Sequence, residues 1–218
     1  YNHHSEFGSN YTYNLNSSYL IQKKVKVFAN ISSGFKAPTV SDLFGPVFYG
    51  SNPALKPETS TNFEAGAQLN SLQNNLQVTA TGYYRNVNDL IAYVGAQLIN
   101  IDRQKDKGVE LEARYTPNDK WNIRASYAYV TGDLSQSRGG KDTSFYNLIR
   151  RPKNTVTASI GYQLTTQFFV RLTAQCLGKR TDLFFDPVSF AASQVNLSAY
   201  TLLNFYAEYK LLKNKFDL

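Results

Sequence analysis

The chain has 218 residues, 42% hydrophobic and 14% aromatic, with a formal net charge of +7 and a single cysteine, Cys176. No apolar run approaches the ~18 residues that a spanning helix needs, and mean hydropathy is −0.38, so a helical membrane protein is excluded. One cysteine excludes a disulfide framework within the chain, and the cations are spread rather than blocked with no recognition module beside them, which sets nucleic acid aside as a partner.

The length suits one large β domain or two small ones. The first predicted strand covers residues 11–21, with Tyr13, Leu15, Ser17, Tyr19 and Ile21 on one face and Asn14, Asn16 and Ser18 on the other. After a tight turn at residues 22–24, a second strand covers 25–34. It sets Val25, Val27, Ala29 and Ile31 against Lys26, Asn30 and Ser32, with Phe28 as the exception. A loop of prolines (Pro38, Pro46, Pro53, Pro57) follows, outside any sheet because proline cannot donate to a ladder. Strands are then predicted over 62–70, from 76 toward 93, and over 103–115, 121–131, 155–164 and 168–180. A ninth includes Leu203, Phe205, Ala207, Tyr209 and Leu211. The clearest is Val109-Glu110-Leu111-Glu112-Ala113-Arg114-Tyr115, in which odd positions are apolar or aromatic and even ones are charged. Neighbouring strand side chains point to opposite faces, so one face is apolar and the other ionised.

Connection lengths alternate. Short turns fall near residues 22, 72, 118 and 165, and long loops near 45, 97, 142 and 190. An up-and-down outer-membrane barrel keeps short turns at one end and long loops at the other, whereas a Greek-key sandwich has no reason to sort its loops. Strands of about 9–11 residues suit a tilted crossing of a bilayer. Interior glycines (Gly34, Gly66, Gly82, Gly108, Gly161) suit the bends of a curved sheet. The 16 Tyr and 14 Phe suit a membrane interface, and equally a carbohydrate-binding β protein. The predicted class is all-β: an antiparallel up-and-down transmembrane β-barrel segment, with one domain over residues 1–218 and about nine strands. A start at Tyr1 without Met is read as an internal piece of something longer.

An Arg or Lys facing lipid at mid-membrane costs roughly 2–4 kcal/mol. Arg114, Arg124 and Arg171 are therefore expected to face the lumen, with Glu64, Glu110, Glu112 and Glu208.

Three segments carry a family resemblance. The run from Phe28 to Phe44 (FANISSGFKAPTVSDLF) resembles the strand-and-loop signature of TonB-dependent outer-membrane receptors. Asn52-Pro53-Ala54-Leu55-Lys56-Pro57-Glu58 is similar to that family's N-P-x-L-K-P-E segment, and GYYRNVNDLI from Gly82 with KGVELE from Lys107 resembles its next two strands. The resemblance lies nearest the cobalamin-receptor branch. It implies a 22-stranded barrel filled by a plug, of which this chain covers part of the C-terminal half. The plug and the last strand are absent from the chain. It also implies uptake across a Gram-negative outer membrane of a scarce small-molecule ligand: a ferric siderophore or other iron chelate, cobalamin or a glycan. Implied partners are the TonB-ExbB-ExbD complex, reached through the plug, and the lipid and lipopolysaccharide around the barrel. No cofactor is implied. The residues leave open a soluble β-sandwich or adhesin-like glycan-binding module, and a passive porin.

No catalytic constellation is present: His3 and His4 are adjacent on one predicted strand and point apart, and they lack a spaced partner set for a metal. Phe44, Phe48 and Tyr49 in the long first loop are candidate ligand contacts, or pack within that loop. Arg138 is a candidate cation for an anionic ligand or lipopolysaccharide, alongside Arg103, Lys105, Lys107, Lys141, Arg150, Arg151 and Lys153 near the long-loop end. Asp182 and Asp186 are candidate ligand or Ca²⁺ contacts, although two carboxylates do not make a calcium cage. Lys56-Pro57-Glu58 is expected to shape the start of the following strand rather than touch ligand.

Overall fold

In the computed structural model, the described residues are 1–71, 75–94, 97–138, 141–146, 149–188, 192–211 and 216–217. The strands are β1 (Asn2–His4), β2 (Gly8–Asn10), β3 (Asn14–Ile21), β4 (Val25–Lys36), β5 (Glu58–Ser71), β6 (Leu76–Val94), β7 (Gln97–Tyr115) and β8 (Trp121–Arg138), then β9 (Lys141–Tyr146), β10 (Asn154–Gln163), β11 (Phe168–Leu177), β12 (Arg180–Phe185), β13 (Ala192–Leu197), β14 (Tyr200–Leu211) and β15 (Phe216–Asp217). The main sheet runs β15-β14-β11-β10-β8-β7-β6-β5-β4-β3, with β9 paired to β8. Every pairing is antiparallel between chain neighbours or, at β8–β10 and β11–β14, across a side hairpin. This is an up-and-down meander, and its nine long strands are those the alternation predicts.

Register fixes the two faces. One inward row runs Phe28, Gly66, Thr81, Glu110, Ala128, Thr155, Leu177, Tyr200 across seven ladders. The opposite face of β7 carries Tyr115, Ala113, Leu111 and Val109, flanked by Leu76, Val78 and Ala80 of β6 and by Ile123, Ala125 and Tyr127 of β8. Val109, Leu111, Val156, Ile160, Leu172, Leu203 and Phe205 are all exposed. No second sheet covers this face among the described residues. Its short-turn end carries rings at the height where a bilayer turns polar: the Trp121 and Tyr162 rings lie 4.5 Å apart at a tilt, and Phe168 lies 6.3 Å from Tyr209.

Three of the expected long loops carry paired strands among their described residues. β6 and β7 remain paired as far as Val94↔Gln97, so the segment near 97 is a strand extension, not a loop. Their 19 residues each make strands about 60 Å long, over twice the ~25 Å apolar band of such barrels. The segment near 142 is β9, laid back on β8. The one near 190 is a β12–β13 hairpin that forms its own small sheet. The predicted strand from 76 toward 93 matches β6; the difference lies in β7, which starts at Gln97 rather than near 103 because the tall hairpin keeps pairing above the apolar band. The predicted strand of residues 168–180 ends at Leu177, where the chain breaks before β12.

Two of the interior glycines make room for rings. A Cβ at Gly66 would lie 2.4 Å from the Ala80 carbonyl and 2.5 Å from the Phe28 ring, and one at Gly108 would lie 2.3 Å from the Tyr129 carbonyl and 2.4 Å from the Tyr83 hydroxyl. Both are inward positions on a concave wall, and each lets an aromatic ring from the adjacent strand lie flat on the sheet. This accounts for Phe28, the apolar residue out of phase in β4.

Candidate functional site

The polar wall is built by alternation. Glu64 sits opposite Asn30 and Tyr83, Glu110 opposite Thr81, Glu112 opposite Ser126, Arg114 opposite Arg124, and Arg171 opposite Tyr206. Following these pairs strand by strand puts all six predicted lumen-facing residues on one side. Glu208, opposite Phe169, joins them.

Three clusters organise that wall. Near the short-turn end, Glu112, Arg114 and Arg124 line a recess of about 290 Å³ with Gln77, Thr79 and Ser126. Like charges directly opposite repel; Arg124 turns aside, its Nε donating to Asn122 Oδ1 at 3.1 Å. On β11, the Arg171 guanidinium lies 5.3 Å from the Phe169 ring centre and 5.9 Å from that of Tyr206, a cation–π arrangement. Higher up, Arg85 and Asp106 form an ion pair across β6–β7, with Arg85 Nε donating to Asp106 Oδ2 at 2.9 Å and Gln104 Nε2 donating to the same oxygen at 2.7 Å. Asp106 is only 3% exposed. This pair was not singled out from sequence. Its signal is register: Arg85 and Asp106 are partners only once β6 and β7 are aligned.

The rim carries the loop between β4 and β5. A short helix, Val40–Phe44, is started by a capping box: Thr39 Oγ1 accepts from the Asp42 N–H at 3.1 Å, and Asp42 accepts from the Thr39 N–H at 2.8 Å. The bond from the Thr39 N–H to its carboxylate, helped by the Thr39 side chain, holds Asp42 below the usual 3.8. Leu43, Leu55 and Leu98 are buried together, with Phe7 and Ile91 against them. Polar atoms then fasten the loop to the tall hairpin. Asn52 Nδ2 donates to the Leu98 carbonyl at 2.9 Å. Asn100 Oδ1 accepts from the Lys56 N–H at 2.8 Å, and its Nδ2 donates to the carbonyls of Lys56 at 2.9 Å and Asp89 at 2.7 Å. Glu58 Oε1 accepts from the Ile91 N–H at 3.0 Å and pairs with Lys36 at 2.9 Å. The N-P-x-L-K-P-E segment is thus a clasp, and Lys56 and Glu58 contribute to holding the loop.

The candidate ligand residues are distributed around this rim. Phe44, Phe48 and Tyr49 are all exposed, with Phe48 and Tyr49 rings 4.1 Å apart. Asp182 pairs with Arg150 at 2.7 Å, and Asp186 accepts from the Val188 N–H at 2.9 Å within its own turn. The side chain of Arg138 lies outside the described residues, although its backbone closes β8 against Lys141. His3 and His4 serve the β1–β2 hairpin: His4 Nδ1 accepts from the Glu6 N–H at 3.2 Å, and His3 Nδ1 meets Ser9 Oγ at 3.2 Å.

A lipid-facing apolar band, a charged inner wall and a structured rim define a transmembrane barrel segment of the outer-membrane receptor type. The family model described as "TonB dependent receptor-like, beta-barrel" matches residues 1–218, and the chain belongs to this family of outer-membrane proteins. It is 32% identical over 217 residues to the vitamin B12 transporter BtuB of Photobacterium profundum, covering 95% of the chain and 32% of that protein. It is 30% identical over 129 residues to a probable TonB-dependent siderophore receptor, PiuA, of Acinetobacter baumannii, covering 55% of the chain and 17% of that protein. Among solved structures, the ferric enterobactin receptor PfeA of Pseudomonas aeruginosa matches with a TM-score of 0.73 at 22% identity, over 97% of the chain and 34% of the receptor. The siderophore receptor PirA of Acinetobacter baumannii matches with a TM-score of 0.73 at 15% identity, over 95% and 36%. The chain spans about a third of the length of the vitamin B12 transporters it matches. The named relatives are transporters and receptors, not enzymes.

Proposed function

We propose that residues 1–218 form part of the wall and rim of a receptor that captures a scarce ligand outside the cell, an iron chelate or cobalamin, and admits it through the barrel with energy from the TonB complex. The observation that carries this reading is the segregation of charge on β7. Asp106, Glu110 and Glu112 lie inward, Val109, Leu111, Ala113 and Tyr115 outward, and the chain belongs to a family built on such walls. In this reading Glu64, Glu110, Glu112, Arg114, Arg124 and Arg171 line the lumen against a plug supplied elsewhere in the whole protein. Phe44, Phe48 and Tyr49 meet ligand at the rim, with Arg138, Asp182 and Asp186 on neighbouring hairpins. Arg103, Lys105 and Lys107 form an outward cationic row just above Val109, at the level of anionic lipid headgroups.

The test is uptake by cells carrying the full-length protein, with labelled cobalamin and a panel of ferric chelates. One of these is expected to accumulate only when TonB is present, and to protect the purified receptor against heat. Uptake that persists without TonB overturns the receptor reading in favour of a passive pore.

A further inference from the structure

Above β10, β11 and β14 the chain makes a second, unassigned recess. The backbone leaves β11 at Leu177, crosses Gly178 and Lys179, and enters β12 at Arg180. Gly178 N–H donates to the Asn154 carbonyl at 2.8 Å, and Val130 N–H donates to the Lys153 carbonyl at 3.0 Å. Val130 is an inward residue of β8, level with Gly108, so the strand pattern carries Lys153 onto the inward side. Arg180 lies over the same side: its guanidinium carbon is 5.0 Å from the ring centre of Tyr200, which belongs to the inward row with Leu177. Lys153, Lys179 and Arg180 thus converge on one cavity of about 420 Å³, lined also by Thr181, Asn196 and Ser198. Among the described residues no carboxylate lines it. Asp182, on the same hairpin, pairs with Arg150 at 2.7 Å. Arg180 Nη1 is enclosed and meets no hydrogen-bond acceptor, and a buried guanidinium nitrogen left without one is costly.

We infer that this recess is an anion subsite at the mouth of the barrel, in which Arg180 and Lys179 receive the carboxylate or phosphate oxygens of the incoming ligand. The inference rests on the receptor reading above and adds the charge of what is received. Guanidinium geometry matches two oxygens of a carboxylate or phosphate, the ring of Tyr200 fixes its plane, and Asn196, Ser198 and Thr181 supply hydrogen-bonding groups at the margin. Three cations facing a water-filled mouth also raise the local concentration of anions.

The experiment uses the full-length receptor in detergent. The probes are ferric citrate, whose oxygens are carboxylates, inorganic pyrophosphate, a neutral ferric trihydroxamate, and cobalamin. Wild type is expected to bind one of the two anionic probes with an affinity that falls as salt is added; the one preferred identifies the oxygen type. Arg180→Gln and Lys179→Gln are each expected to weaken that binding about tenfold, with Arg180→Lys between wild type and Arg180→Gln. Lys23→Gln, in a short turn at the other end, is expected to change nothing. Equal binding by wild type and both Gln variants overturns the subsite. So does a loss that is the same for the neutral trihydroxamate, which marks collapse of the β12–β13 hairpin. Binding by wild type of neutral probes alone overturns the anion assignment and leaves the receptor reading standing. Binding of no probe, together with uptake independent of TonB, removes the receptor reading and the subsite with it.

Discussion

The two faces of β7 obey opposite rules although they share one backbone. Outward, Tyr115, Leu111 and Val109 are exposed, and no second layer covers them among the described residues. Inward, Glu110, Glu112 and Arg114 are charged, and Asp106 is buried in an ion pair. In a water-soluble sandwich the apolar face would be the better-packed one. Here packing is concentrated on the polar side, where rings lie on glycines, and at the rim, where the leucines gather. The comparison teaches that the solvent, rather than a second layer of protein, holds the outward face: a strand in hydrocarbon needs no core of its own.

The sharpest way to break that contrast is to exchange the rules at adjacent residues. Leu111→Arg puts a cation into the apolar band at a cost of about 2–4 kcal/mol, and the full-length protein is expected to lose its heat-modifiable, outer-membrane-assembled form on gels. Glu112→Gln, one residue on, is expected to assemble normally. Equal behaviour of the two variants would contradict the assigned faces. The inward side is next. Gly108→Ala drives a methyl against the Tyr129 carbonyl, a backbone atom that cannot move aside, whereas at Gly161 the obstacle is the edge of the Phe169 ring at 2.7 Å. Thermal unfolding is expected to show a loss of about 1–3 kcal/mol for Gly108→Ala and less for Gly161→Ala. Only the latter is expected to be relieved by Phe169→Ala in the double variant.

At the rim, Asn100→Ala removes three hydrogen bonds to main-chain groups. It is expected to loosen the loop by about 1–3 kcal/mol, seen as faster amide exchange at Lys56 and a new protease cut within residues 37–57, while barrel assembly stays intact. The smallest effect belongs to Asp42. Its carboxyl is held below 3.8 in the folded loop, so its capping contribution is complete above that value and is lost as pH falls through the lower folded value. Loop protection measured by exchange is expected to decline on acidification below about pH 4, and Asp42→Asn is expected to be less sensitive to that change.

Much of this was legible in the chain because the strand period is two and the penalty for misplaced charge is large. Those facts place Glu110, Glu112, Arg114 and Arg124 together without coordinates. The length of β6 was legible, since its strand is predicted from 76 toward 93, but the start of β7 was not: residues 97–102 are expected as part of a long loop, and their pairing follows from the hairpin beneath them. Phe28 is out of phase within its own strand because its justification, Gly66, lies on another. The Arg85–Asp106 pair and the recess around Arg180 depend on register and on a crossing at Gly178, and neither leaves a local pattern. Phe44, Phe48 and Tyr49 were marked by their aromatic character, and the structure leaves them at the rim with free faces.

The clasp at Asn52 and Asn100 has a consequence for how such a rim changes over generations. Tyr49 is gripped through its main chain: its carbonyl accepts from the Tyr93 hydroxyl at 2.9 Å and its N–H donates to the Pro46 carbonyl at 2.8 Å. Gly50 is held by its carbonyl and Lys56 by its main chain. The mooring therefore reads almost nothing of the side chains at positions 44, 48 and 49. Those aromatics are interchangeable fittings on a fixed bracket; under the proposed receptor function, a lineage is free to retune what the mouth prefers without rebuilding the frame beneath it.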